Sequence, residues 1–156
     1  MIYLWTWFVT LLSGKPHFVI GNPLSPYMLR WWILPRNNWF GVYLHKFLHD
    51  DDDRALHDHP WWFISIMLKG GYEEYIQGKK LEVRRRSVPS IAFRRGCHKH
   101  RVVLHRDSEG RSIPCWTLVI TGPRTRIWGF WCPNGFVPWY EFVKPSEHGQ
   151  VGKGCD

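Results

Sequence analysis

Short apolar runs separated by turn residues make up most of this chain. Side chains alternate faces along a strand, so an alternating or doubly apolar run bounded by Gly, Pro, Asn or Asp predicts a β-strand. Met1 to Leu12 is an apolar run, interrupted only by Thr6 and Thr10 and closed by Ser13-Gly14-Lys15-Pro16, and it predicts a short N-terminal helix, amphipathic or partly buried. A loop punctuated by Asn22-Pro23 and Ser25-Pro26 follows. Strands are predicted over Tyr27 to Leu34, Trp39 to Leu48 and Trp61 to Leu68. The last of these is apolar on both faces except at Ser65, the pattern of a central strand covered on both sides. Tyr72 to Ile76 and Leu81 to Val88 predict a hairpin about Gln77-Gly78-Lys79, and further strands fall on Pro89 to Phe93, His98 to Leu104, Cys115 to Thr121 and Arg126 to Trp131. Beyond Phe142 the chain turns polar and glycine-rich, which predicts a mobile tail. The expected organisation is an extension over 1–26, an all-β sandwich or barrel over 27–142 and a tail over 143–156.

Composition narrows this only a little. A chain of 156 residues makes one domain with a proper core, and 11 Trp mean that large rings dominate its burial. The net charge of +8 favours an anionic partner, a small phosphate or carboxylate first and a nucleic acid second. The four cysteines, Cys97, Cys115, Cys132 and Cys155, form no Cys-x-x-Cys pair. The opening run has neither a basic n-region nor a small-residue cleavage site, so free thiols in a reducing cytoplasm are expected. About a dozen apolar residues are too few to span a bilayer. No transmembrane segment is expected, and a peripheral membrane contact is the weaker alternative.

The candidate chemistry lies in two histidine stretches. In Leu56-His57-Asp58-His59-Pro60, His57 and His59 share a face and can aim both imidazoles at one point, while Asp58 turns away. Paired surface histidines bind nothing in most proteins. A second cluster about 40 residues downstream, Gly96-Cys97-His98-Lys99-His100-Arg101-Val102, makes a metal site the better reading. His100 shares its face with Val102 and Leu104, which suits a ligand at the mouth of an apolar interior; His98 is the rival third ligand. His45 on its aromatic face reads first as a packed histidine, and Cys97 as a small residue in a turn; either can stand behind the ligands, as can Asp58. Arg84 and Arg86, Thr117 and Trp128 are candidate substrate contacts, against the plainer readings of a solvated strand face and core packing. The acidic run Asp50 to Asp53 lacks the spacing of a calcium loop and reads as a solvated turn, tied back by Arg54.

These residues resemble the motifs of the cupins, the small double-stranded β-helix or jelly roll. The first cupin motif matches at His57, His59 and Gly70, and the second at Gly96 and His100, with His100-Arg101-Val102 similar to the His-Arg-Val often found there. Tyr43 to Phe47, Arg54 to Trp61 and Thr121 to Phe130 also resemble an uncharacterised cupin group of bacteriophages and prophages. The Glu of the first motif is replaced by Phe63 or Ile64. The resemblance therefore implies a three-histidine site like that of the thiol dioxygenases, with His57, His59 and His100 as ligands, Fe(II) as the favoured ion and Zn, Ni or Mn as alternatives. It implies a dioxygenase acting on a small anionic molecule, often in a homodimer. The competing expectations are a non-oxidative metal cupin, such as a sugar or nucleotide-sugar isomerase, epimerase or hydrolase, and a metal-stabilised binding module without catalysis.

Overall fold

A computed structural model of the chain describes residues 2–51, 55–144 and 150–156. Helix α1 (Ile2–Leu12) is followed by strands β1 (Phe18–Asn22), β2 (Ser25–Trp32), β3 (Gly41–Phe47), β4 (Leu56–His57), β5 (Phe63–Lys69), β6 (Gly71–Gln77), β7 (Leu81–Ser87), β8 (Ser90–Arg94), β9 (His100–Leu104), β10 (Cys115–Thr121), β11 (Gly129–Cys132) and β12 (Gly135–Pro138). A single turn of helix, α2 (Trp139–Phe142), leads to the short strands β13 (Val143–Lys144) and β14 (Gln150–Val151). Two six-stranded antiparallel sheets result. One runs β1-β2-β3-β10-β5-β8 and the other β12-β11-β4-β9-β6-β7. The core joins them: Met67 and Cys115 of the first sheet pack with Tyr72, Val102 and Leu104 of the second.

Alternation sets which side chains enter the barrel. Cys115, Thr117, Val119 and Thr121 of β10 are buried and the residues between them are not. Along β9, His100, Val102 and Leu104 are buried. The strand β5 departs from expectation. Phe63, Ser65 and Met67 are buried, but Ile64 and Ile66 are only half-buried and Leu68 is 49% exposed. Its second apolar face is therefore an outer surface of the barrel, continued across the ladder by Ile91 and Phe93 of β8.

Two further differences come from turns. The loop expected over 15–26 contains β1, because the ladder to β2 bends at Gly21 instead of ending. Gly21 has φ 92°, and a Cβ there would stand 2.8 Å from the Tyr27 amide nitrogen, so glycine is required. Beyond Phe142, where a tail is expected, β13 pairs with β14 and Cys155 forms a disulfide with Cys132. Only Cys97 and Cys115 are free thiols, which corrects the expectation for the other two. The bridged pair lies 23 residues apart in sequence, a spacing without a motif, and only the return of the chain over β11 brings the sulfurs together. No helix among the described residues is long and apolar enough to cross a membrane.

Candidate metal centre

Three histidines converge where β4 meets β9. His57 lies directly opposite His100 in the β4–β9 ladder, and His59 follows two residues on. Their ring centroids are 4.8 Å (57–100), 5.0 Å (57–59) and 5.1 Å (59–100) apart. One ring nitrogen from each lies within 4.8 Å of the others. The closest pair, His59 Nε2 and His100 Nε2, is 2.8 Å apart. Metal–imidazole bonds of about 2.0–2.1 Å meeting near a right angle put two nitrogens roughly 3 Å apart, so the spacing suits two ligands of one divalent ion.

The tautomers point the same way. His100 Nδ1 is 3.0 Å from Glu74 Oε1, so it carries the proton and leaves the Nε2 lone pair for the shared point. His57 Nδ1 lies 3.6 Å from Asp51 Oδ2, too far for a hydrogen bond but near enough for the carboxylate's charge to act on the ring. Carboxylates behind ligating imidazoles fix ring orientation and raise basicity. Phe63, one of the two positions expected for the motif's Glu, is buried with its ring centroid 4.6 Å from that of His59. The donor set is thus three neutral nitrogens that fit a divalent transition metal.

No family model and no curated protein matches the chain, but solved structures do. It is similar to the structure titled FeII HppE, with a TM-score of 0.54 at 12% identity over 70% of this chain, spanning 57% of that protein's length. An uncharacterised double-stranded β-helix protein of Klebsiella pneumoniae aligns over 76% of this chain and 92% of its own, with a TM-score of 0.50 and 16% identity. A putative mannose-6-phosphate isomerase of Ralstonia eutropha aligns over 69% and 92%, with a TM-score of 0.51 and 14% identity. The fold is the double-stranded β-helix of the cupins. Identities this low carry the fold and leave the chemistry to the residues.

Within the barrel the other candidates are dispersed. His98 is set against Glu74, with Nε2 3.5 Å from Oε1; Glu74, His98 and His100 form a second group of potential ligands. Asp58 is fully buried and faces away from the triad. Its carboxylate accepts from Arg126 Nη1 at 2.7 Å, Trp131 Nε1 at 3.1 Å and the Gly129 amide at 3.0 Å, locking the segment between the two ligands to β11. His45 sits on β3 between the rings of Tyr43 and Phe47, with Nε2 accepting from Arg30 Nε at 2.9 Å. Cys97 is exposed in the turn before β9. Arg84 is exposed and paired with Glu82, and Arg86 donates to Glu74 at 3.2 Å, so both guanidiniums are engaged within the protein. Thr117 is 1% exposed, opposite His45 in the ladder, and its Oγ1 has no hydrogen-bond partner. Trp128 stacks on Trp139 at the flank.

Three important residues escaped the sequence reading. Glu74 is 1% exposed and binds Arg94, Arg86 and His100. Burial opposes its ionisation, but the hydrogen bonds from His100 and Arg94 and the nearby His98 imidazole prevail and hold the carboxyl well below the usual range. Its signal was a lone acid on the inward face of β6, between Tyr72 and Ile76. Arg30 gives the same signal between Met28 and Trp32. Among the described residues its guanidinium has no carboxylate partner; it meets His45 and the Tyr43 ring, and its charge also reaches His59. Asp51 belongs to the acidic run read as a solvated turn, yet it accepts from the Tyr27 hydroxyl and from the Val102 amide at 2.6 Å, while Asp50 accepts from the Leu104 amide. The pair stitches this turn to β9; Asp52, Asp53 and Arg54 lie outside the described residues.

Burial lowers the His57 pKa to about 4 despite the pull of Asp51, and burial also lowers His59 and His45 well below the ordinary value. A histidine held neutral in the fold stabilises it fully above its unfolded pKa of about 6.5, and that contribution is lost as pH falls towards the folded value. The metal-free protein is therefore expected to weaken steeply between about pH 6.5 and 4. His57 alone accounts for about 3 kcal/mol of this. Urea midpoints measured across that window check it, and His57→Phe should flatten the slope.

Proposed function

We propose that His57, His59 and His100 hold one divalent metal, with Fe(II) as the ion. On this reading the protein is a dioxygenase-like cupin acting on a small anionic molecule. The observation that carries this is the convergence of three imidazoles, with Glu74 hydrogen-bonded behind His100 and the Asp51 carboxylate near His57. Such a site leaves the ion its full charge and several open positions, so it can take an anionic chelator and dioxygen together.

The chain's own residues supply the rest. Arg30 is the cation available to pair with a carboxylate or phosphate that reaches past the ion, in the bidentate geometry a guanidinium favours. Thr117 Oγ1, two strands from Arg30 on the same inward row, offers a hydroxyl without a protein partner. Phe63 in place of the motif's carboxylate keeps that side of the ion apolar. A non-oxidative reaction on a sugar phosphate is the second reading, favoured by the Ralstonia eutropha neighbour and by the same cation, which meets no carboxylate among the described residues.

Elemental analysis after expression in metal-replete medium, combined with oxygen-electrode assays on small carboxylates and thiols, separates the readings. About one iron per chain and Fe(II)-dependent oxygen uptake support the first. Zinc, nickel or manganese without oxygen uptake supports the second. A protein that retains no metal excludes both.

A further inference from the structure

Helix α1 turns its apolar side to solvent. Its half-buried residues Trp7, Thr10 and Leu11 lie towards the barrel, where Trp7 Nε1 donates to the Trp32 carbonyl at 2.8 Å and His17 stacks on the Trp32 ring. Ile2, Trp5, Phe8, Val9 and Leu12, three or four residues apart, form a stripe on the other side. Ile2 is 84%, Trp5 68% and Leu12 70% exposed. The Arg36 amide donates to the Tyr3 hydroxyl at 3.1 Å, which brings the 34–40 loop alongside, with Trp39 78% exposed. A surface helix normally shows water its polar side. This one has no charged residue along its length, and at about 1.5 Å per residue it is too short to cross a bilayer but long enough to lie in one leaflet's interface.

Charge selects the occupant. Residues 1–49 contain Lys15, Arg30, Arg36 and Lys46 and no Asp or Glu. The six strands of the sheet beside α1 contain no carboxylate either. A second copy seated on the stripe would bring like charges together, whereas anionic headgroups would meet them favourably. We propose that α1 and the 34–40 loop dock this protein on an anionic lipid surface. The stripe enters the headgroup–acyl boundary, Trp5 and Trp39 lie at headgroup level, and Lys15 and Arg36 pair with phosphates.

The test is flotation of the full-length protein with vesicles of phosphatidylcholine alone and with vesicles containing about 30% phosphatidylglycerol. The protein is expected to float with the anionic vesicles only, and less well at high salt. Trp5→Glu combined with Phe8→Glu should reduce the bound fraction at least about tenfold, as should Lys15→Glu combined with Arg36→Glu. Val83→Asp, at a position 52% exposed on β7, should leave it unchanged. Thermal midpoints confirm that each variant stays folded. The proposal is overturned by equal flotation on both vesicle types, by no flotation, or by flotation that survives both double variants. A concentration-dependent dimer that Trp5→Glu/Phe8→Glu dissolves, without any flotation, assigns the stripe to a second copy and overturns it equally.

Discussion

His100→Ala is expected to abolish metal retention while the barrel stays folded. His100 is the hinge of the triad: it faces His57 across the ladder, meets His59 nitrogen to nitrogen, and is oriented by Glu74. Losing a partner behind a ligand commonly weakens binding 10–100-fold, so losing the ligand itself should cost at least about a hundredfold. The fold should lose only about 1–3 kcal/mol, because Glu74 keeps its arginines when the imidazole goes. Competition with a chelator of known affinity measures the first effect and urea unfolding the second. His98→Ala is the internal comparison. Its ring is placed against Glu74 and outside the group of three, so its effect on affinity should stay under about tenfold. If His98→Ala strips the metal as completely as His100→Ala does, the ion belongs to the group Glu74, His98 and His100.

The largest loss of stability is expected from Glu74→Ala. Arg94 is itself buried, at 8% exposure, and Glu74 is its carboxylate partner. Truncating one member of a buried ion pair leaves the other's charge without compensation, at a cost of about 3–5 kcal/mol. Glu74→Gln keeps the shape and the hydrogen-bond acceptor but removes the charge, and should fall between wild type and alanine. The pH dependence provides a second check. A carboxyl whose folded pKa is depressed stabilises fully above its unfolded value near 4.5 and loses that contribution as pH falls below it. The difference between wild type and Glu74→Gln should therefore shrink in acid. A loss of less than about 1 kcal/mol for Glu74→Ala at neutral pH would mean that the two arginines find other partners.

The barrel and the meeting of His57, His59 and His100 were legible in the sequence because both rest on period-two alternation. His57 and His59 share a face by spacing alone, and the inward row of His100, Val102 and Leu104 follows from the same rule. The partners behind the ligands were not legible, because they arrive from other strands. Glu74 reaches His100 from β6, and Asp51 reaches His57 from a turn whose acids looked solvated. Register between strands supplies those contacts, and no local pattern states it. Arg30 shows the opposite failure: a cation on an apolar face is a readable signal, but it is less conspicuous than Arg84 and Arg86, which meet Glu82 and Glu74 instead. Apolar on both faces proved a poor guide for β5, since half of that apolar surface lies outside the barrel.

The strand that carries His57 and leads into His59 is only two residues long. Beyond its end His59 is held by its own amide, which donates to the Gly96 carbonyl at 2.9 Å, and by its neighbour Asp58, clamped to Arg126, Trp131 and the Gly129 amide on the far side. In the proposed metal site, ion preference would thus have an adjusting screw outside the three imidazoles. Shortening or neutralising that one carboxylate, without touching any ligand, would let the bite between the imidazoles widen and accommodate a differently sized cation.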